Sequence, residues 1–356
     1  MTTGDNLTAV LYKINDIRLE QRPIPEPKCN QVLLQMEVVG ICGSDVHYYE
    51  HGKVGPFVVE NPMVIGHEAS GTVVKCGENV KTLKPGDRVA IEPGVPCRQC
   101  YLCKIGKYHL CPDMKFCATP PIDGNLSRFY CQDEDFCFKL PCNMDLEEGT
   151  LMEPLAVGVH ACKQAEVKIG DVCLIFGSGP IGLSTLVTAK AMGASKVMIL
   201  DVREERLQLA KQMGADSTLK VDTGMSEDSI SDKIKQCLGD EPHACFDCTG
   251  NQMCCRIALN VARAGGVVVI VGMGETEMTL PLTAAMFKEV KLKGSFRYAN
   301  DYQQAIEMVR TGRVNVKPLI THHFRLEDTV KAFETARDRI GNPVKIMIHA
   351  NPKWTQ

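Results

Sequence analysis

The chain has 356 residues, 44% of them hydrophobic and 23% charged, which excludes a peptide, a small disulfide scaffold and a disordered segment and suits about two domains of ~150 residues. Forty Lys and Arg against 43 Asp and Glu give a formal net charge of −3, so no basic excess exists to neutralise nucleic acid or an anionic membrane. The longest apolar run, Ala264 to Gly274, carries four glycines and falls far short of the ~20 apolar residues of a spanning helix. With no leader, retention or peroxisomal pattern in the sequence, the cytoplasm is the expected compartment. Eighteen cysteines are the one anomaly; a reducing compartment makes buried thiols and metal ligands better explanations than disulfides.

In chain order, the first 150 residues contain short β-rich runs at Val32–Val39, Gly71–Val74 and Asp87–Ile91, separated by Pro, Gly and Asn. That pattern belongs to a barrel or sandwich with long loops. Within this region lie Gly40-Ile-Cys42-Gly-Ser44-Asp45-Val-His47-Tyr48 and Gly66-His67-Glu68, fragments rich in ligand-type residues. Next comes Cys97-Arg-Gln-Cys100-Tyr-Leu-Cys103, with Cys111 returning a fourth thiol. Two Cys-x-x-Cys steps can wrap a loop around a cation, and four sulfurs fill a tetrahedral zinc completely, so this site would brace a loop and do no chemistry. Cys162, Cys173, Cys245 and Cys248 fall in apolar segments, where Cys acts as a small hydrophobe. Met152-Glu153-Pro154-Leu155 ends the β-rich region.

From about residue 155 the texture changes. Strands are expected at Val172–Phe176, Lys196–Leu200, Ala244–Cys248 and Val267–Val271, with helices at Ile181–Met192 and Glu204–Met213 and another between the last two strands. This alternation indicates a parallel sheet covered on both faces. Directly after the first strand comes Gly177-Ser178-Gly179-Pro180-Ile181-Gly182. Gly177 makes the tight turn, Gly179 admits a pyrophosphate, Gly182 allows close helix–strand packing, and free N–H groups at the helix start bind the anion. Asp201 ends the second strand 19 residues after Gly182, where a carboxylate accepts ribose hydroxyls and repels a 2′-phosphate. NAD is therefore favoured over NADP, although Arg203 and Arg206 supply guanidiniums that can bind such a phosphate. The turn Val271-Gly272-Met273-Gly274 is a further cofactor-lining candidate. The last region offers a strand at Val290–Phe296, helical patterns at Tyr302–Val309 and Leu326–Arg337, and a strand at Val344–His349.

Taken together these fragments, with Pro85-Gly-Asp-Arg-Val89, Glu153-Pro-Leu155 and Phe296-Arg297-Tyr298, make the chain resemble the zinc-dependent medium-chain dehydrogenases, in their sorbitol (polyol) dehydrogenase branch, over essentially its whole length. The resemblance implies an α/β protein in which a central Rossmann doubly wound parallel sheet, residues 157–290, is flanked by a GroES-like β-rich catalytic domain from residues 1–156 and 291–356. It implies catalytic zinc on Cys42, His67 and Glu68, with Glu153 bound directly or through water, and structural zinc on Cys97, Cys100, Cys103 and Cys111, two ions per subunit. Ser44 and His47 match positions that carry the alcohol proton outward. Tyr48, Arg297 and Tyr298 match positions that contact a polyol, and Phe116 and Thr119 are expected to line the same pocket. Gly177, Gly179, Pro180, Ile181, Gly182, Asp201, Arg206, Val271, Gly272, Met273, Phe296 and Arg297 are expected at the cofactor.

The implied reaction is oxidation of a polyol such as sorbitol or xylitol to the 2-ketose. An open zinc position favours loss of the hydroxyl proton, and the nicotinamide accepts the hydride. A homotetramer, or a homodimer, is implied by the same resemblance, with no nucleic-acid or membrane partner. The rival readings are a threonine or simple alcohol dehydrogenase, a non-catalytic dinucleotide-binding descendant of an enzyme, and a zinc-finger DNA reader. Glu68 and Glu153 together with Tyr48 and Phe296-Arg297-Tyr298 oppose the first, the full Cys42, His67, Glu68 set opposes the second, and the charge balance opposes the third.

Overall fold

The structure is a computed structural model that describes residues 5–355. It divides into two compact units: one runs to Glu153 and resumes at Leu319, and the other spans Pro154–Pro318.

In the first unit, the apolar runs between turn residues become a seven-stranded sheet. Its order is Cys137–Lys139, Arg88–Ile91, Glu68–Cys76, Gln31–Ile41, Lys345–His349 and Ile320–Arg325, with Phe129–Asp133 also paired to Gln31–Ile41. A smaller sheet joins Asp16–Gln21, Leu7–Lys13 and Met63–Val64. Val32, Leu34, Met36, Val73, Val89, Ile91, Ile346 and Ile348 are buried in one core, together with Tyr49 and Phe333 from helices. The register matters for the site: Gly40 lies opposite Glu68 on one side and opposite Met347 on the other. Strands remote in sequence are thereby brought side by side at one place in the sheet.

The second unit is built on six parallel strands in the order Ser217–Lys220, Lys196–Asp201, Val172–Phe176, Ala244–Asp247, Val267–Ile270 and Lys291–Gly294. Numbered along the chain this is 3-2-1-4-5-6, the doubly wound dinucleotide-binding order. The strand Val172–Phe176 is buried throughout, as a strand covered by helices on both faces must be. Helices Pro180–Ala191, Glu204–Gln212, Glu227–Leu238, Gln252–Val261 and the short Leu282–Phe287 lie in the five crossovers. Ile230, Ile234 and Leu238 of one and Ile257, Ala258 and Val261 of another join the sheet in a single core.

The compact units are bounded differently from the expected domains: one division falls between Pro318 and Leu319, where the sequence placed it between residues 290 and 291, and the other between Glu153 and Pro154, where the sequence placed it between 156 and 157. The reason is pairing: Lys291–Gly294 adds a sixth parallel strand beside Val267–Ile270, and helix Tyr302–Arg310 stays with the same unit. That strand is also shorter than Val290–Phe296, stopping at Gly294. Among the described residues, no helix is long and apolar enough to cross a membrane.

Candidate metal and cofactor sites

The first donor group is local. Sγ of Cys100 lies 3.4 Å from Cys103 and 3.9 Å from Cys111, and Cys97 lies 3.9 Å from Cys103. A tetrahedral zinc with Zn–S bonds of ~2.3 Å needs sulfur–sulfur edges of about 3.8 Å, so the four thiols are set for that ion. Backbone N–H groups of Gln99 and Cys100 point at the Cys97 sulfur and bring its pKa down to about 7, whereas burial pushes Cys103 up to about 12. Arg98, in a left-handed conformation with φ of 63°, anchors the loop through hydrogen bonds to Asp133 and Asp135 at 2.7 to 3.0 Å.

The second group is assembled from two segments of the first unit. Cys42 is the N-cap of helix Gly43–His51, His67 follows the turn residue Gly66 (φ 88°), and Glu68 opens the strand Glu68–Cys76. Their ligand atoms all lie within 4.8 Å of one another. Two residues that sequence reasoning left without a role hold this set in place. Asp45, fully buried one turn into the helix, accepts hydrogen bonds from the backbone N–H of Cys42 (3.0 Å) and Gly66 (3.1 Å) and lies 3.3 Å from Nδ1 of His67. Burial opposes its ionisation, but the His67 ring and these donors prevail, and its carboxyl stays below the ordinary range. Burial likewise opposes charge on His67, yet Asp45 and Cys42 raise its pKa well above the usual value. With Nδ1 facing Asp45, Nε2 is the nitrogen offered to a metal, the usual carboxylate–histidine–metal arrangement.

Lys345, from the final strand, is buried and donates to both carboxylate oxygens of Glu68 at 2.7 and 2.6 Å and to the carbonyl of Ile41 at 3.2 Å. Burial works against its charge, but Glu68 outweighs it and its pKa rises, with smaller contributions from Cys42 and Glu153. The strand register explains why residue 40 is glycine: a Cβ there would lie 2.4 Å from Glu68 Oε2. Asp45 carried one local signal, its position three residues after Cys42 on a helix. Lys345 carried none, because its partner is 277 positions away.

The remaining expected residues divide between the units. Glu153 is buried at the start of helix Met152–Gln164 and stands outside the Cys42, His67, Glu68 group. Ser44 is half-buried on the Gly43–His51 helix. His47 is exposed on it, with Nδ1 donating to the Lys53 carbonyl at 2.9 Å. Tyr48 is buried, and the Phe116 ring lies 5.8 Å from that of His67, with Thr119 donating its N–H to the Phe116 carbonyl. Arg297 and Tyr298 belong to the second unit, where Tyr298 is buried edge-on to Tyr302 and Arg297 lies over the Phe296 ring.

The glycine loop leaves the carboxyl end of strand Val172–Phe176, and Gly179 caps helix Pro180–Ala191 with Pro180 as its first residue. Gly177 has φ of 92°, a Cβ on Gly182 would lie 1.8 Å from the Gly177 carbonyl oxygen, and a Cβ on Gly179 would meet nothing within 4 Å. The loop is thus close-packed at its first and last glycines and open at the middle one, beside Ile181 and the helix start, an opening with the form of a phosphate-binding turn. Asp201 Oδ2 accepts from Ser178 N–H (2.7 Å) and Oγ–H (2.8 Å), and Oδ1 from Arg203 N–H (2.9 Å). Oδ2 thereby uses both of its lone pairs, and Oδ1 keeps one, to which a ribose hydroxyl can donate. Arg206 is half-buried on helix Glu204–Gln212. Val271 and Gly272 donate to the Asp247 carbonyl, Gly272 packs against the Gly250 backbone, and Met273 is exposed.

Family models for an alcohol dehydrogenase GroES-like domain and a zinc-binding dehydrogenase match residues 28–142 and 180–311. Sorbitol dehydrogenase of Mus musculus is 51% identical over 349 residues, 98% of this chain and 97% of that protein. Sorbitol dehydrogenase of Gallus gallus is 49% identical over 350 residues, 98% of each. The solved structure of L-idonate 5-dehydrogenase from Escherichia coli superposes with a TM-score of 0.89 at 31% identity, over 97% of this chain and 98% of that one. A chain with this donor chemistry, this strand order and these relatives belongs to the zinc-dependent medium-chain dehydrogenases, in their sorbitol dehydrogenase branch, and is an oxidoreductase.

Proposed function

We propose that the chain oxidises a polyol of the sorbitol or xylitol type to the 2-ketose with NAD as hydride acceptor, using one catalytic and one structural zinc per chain. The observation that carries this reading is the convergence of one thiol, one imidazole and one carboxylate, Cys42, His67 and Glu68, within 4.8 Å, a set that leaves a tetrahedral zinc with an open position. When bound, zinc supplies Lewis acidity to a substrate hydroxyl and NAD supplies the hydride acceptor.

The chain's own residues do the rest. Asp45 orients His67 and Lys345 orients Glu68, so the donors are fixed before substrate arrives. Glu153 holds a water beside the ligand set. Ser44 and His47 pass the released proton outward: with Nδ1 of His47 committed to the Lys53 carbonyl, its Nε2 is the proton acceptor facing solvent. Tyr48, Phe116 and Thr119 shape the substrate pocket of the first unit, and Arg297 and Tyr298 bind polyol hydroxyls. The loop Gly177–Gly182 binds pyrophosphate, Asp201 selects NAD over NADP, and Arg206, Val271, Gly272, Met273 and Phe296 line the cofactor. The sulfur site of Cys97, Cys100, Cys103 and Cys111 braces its loop. Assembly is a homotetramer and the compartment the cytoplasm. The test is a substrate panel with NAD and NADP, with and without chelator. Sorbitol and xylitol oxidised fastest, with NAD and only in the zinc-loaded protein, is the expected outcome; faster oxidation of ethanol or threonine overturns the polyol reading.

A further inference from the structure

A third cluster of metal-binding side chains lies in the first unit and has no place in the chemistry above. Glu147, His323 and His349 bring their ligand atoms within 4.8 Å of one another. Nδ1 of His323 is 3.0 Å from Nε2 of His349 and 3.3 Å from Oε1 of Glu147, and Nε2 of His349 is 3.5 Å from the same oxygen. The backbone produces this convergence. In the parallel pair Ile320–Arg325 and Lys345–His349, His323 lies opposite Met347, so His349, two residues on, projects from the same face of the sheet. Glu147 comes from the first turn of helix Leu146–Thr150, where Glu148 closes the capping box with Asp145 and leaves Glu147 to the histidines.

The triangle has the dimensions of one face of a tetrahedral site. Bonds of ~2.0–2.1 Å from zinc to nitrogen and oxygen give ligand–ligand edges of about 3.3 Å, against the 3.0, 3.3 and 3.5 Å found. An ion at that bond length would stand about 0.8 Å off the plane of the three atoms, close to the ~0.7 Å of a regular tetrahedron. His349 is almost fully buried, while Glu147 and His323 are about one-third exposed, so the fourth corner opens toward water. Burial, reinforced by His323, pushes the His349 pKa down to about 4; the ring is neutral at physiological pH, as a ligand must be. Trp354, the only tryptophan of the chain, stacks on His349 with ring centroids 3.8 Å apart and planes 8° from parallel, holding that imidazole in place.

We propose that Glu147, His323 and His349 form a divalent-metal site for zinc and similar borderline ions such as nickel, separate from both cysteine-containing sets. Imidazole with one carboxylate suits such ions and needs no thiolate. An ion bound there would tie the strand that carries Lys345 to helix Leu146–Thr150, which ends three residues before Glu153.

Trp354 supplies a readout independent of turnover. In protein holding two equivalents of zinc per chain, enough for the two cysteine-containing sets only, addition of Ni²⁺ is expected to quench tryptophan emission saturably at one equivalent, and further Zn²⁺, which does not quench, is expected to displace it and restore the signal. His323→Asn and Glu147→Gln should each weaken Ni²⁺ binding by about 10–100-fold while keeping the wild-type circular dichroism; if one fails to fold, the other decides. Cys42→Ala and Cys97→Ser should leave the titration unchanged, which separates this site from the two zinc sites of the proposed reaction. Absence of quenching at millimolar Ni²⁺, or quenching that survives unchanged in the folded His323→Asn or Glu147→Gln protein, overturns the proposal and leaves the cluster a hydrogen-bonded His–His–Glu contact.

Discussion

Replacing Lys345 with Met removes the charge that holds Glu68 while keeping a flexible apolar stem of similar length. The pair is buried on both sides, at 2% and 1% side-chain exposure, and Lys345 donates to both carboxylate oxygens. Removing one partner of such a pair leaves an uncompensated buried charge, which costs about 3–5 kcal/mol. At roughly 2–4 °C per kcal/mol for a unit of this size, the first unit should melt about 6–20 °C lower. Glu68→Gln added to Lys345→Met removes the stranded charge and should recover most of the loss, giving a coupling energy of about 2 kcal/mol or more. The assay is a thermodynamic cycle over wild type, both single variants and the double, each stripped of metal by chelator and unfolded by heat under calorimetry. Additivity within about 0.5 kcal/mol would refute the claim that Lys345 acts through Glu68.

Asp45→Asn keeps the shape of the side chain but removes the charge facing His67, and should weaken zinc at Cys42, His67 and Glu68 by about 10–100-fold, measured by competition with a calibrated chelator; unchanged affinity would show that His67 is oriented by other means. In the second unit, Asp301 is buried and accepts from Nδ1 of His160 (2.9 Å) and Nζ of Lys163 (2.5 Å). Burial opposes its ionisation, but these two donors prevail and its pKa is lowered. A depressed carboxyl pKa contributes stability that is complete above the unfolded value of about 4 and is lost as pH falls through the folded value. Thermal stability of the second unit should therefore decline below about pH 4 in the wild type, and Asp301→Asn should be less stable at neutral pH with a shallower acid decline. Equal slopes in the two proteins would contradict the assignment.

The parts of the molecule that could be read from sequence are those whose chemistry is local. The thiols at 97, 100, 103 and 111 and the loop Gly177–Gly182 each fall within one short segment, where spacing or steric need is visible residue by residue. The parallel strands were legible because a strand covered on both faces is apolar along its length, as Val172–Phe176 is. Ile320–Arg325, with its Thr-His-His sequence, has no such signature and was missed, as were Ser217–Lys220 and helix Glu227–Leu238. The extension of the second unit past residue 290 is hidden in the sequence because Lys291–Gly294, mostly exposed and rich in Lys, looks like an edge of either sheet until its pairing is seen. Lys345 and the Glu147, His323, His349 cluster depend on strand register across the whole chain, which no window of sequence contains.

The pairing of Lys345–His349 with Gln31–Ile41 also orders events during synthesis. All of Pro154–Pro318 is synthesised before the strand that meets Gly40 and Glu68. The nucleotide-binding unit, continuous in the chain, can complete its sheet while the first unit still lacks two strands, and chains generally fold in such units as they emerge. Until the last segment arrives, Glu68 has no Lys345 beside it and the Val38–Ile41 end of strand Gln31–Ile41 lacks its neighbour on one side. An exposed strand edge is a template for pairing with another chain, so until residue 345 is made this stretch of the first unit is open to mispairing.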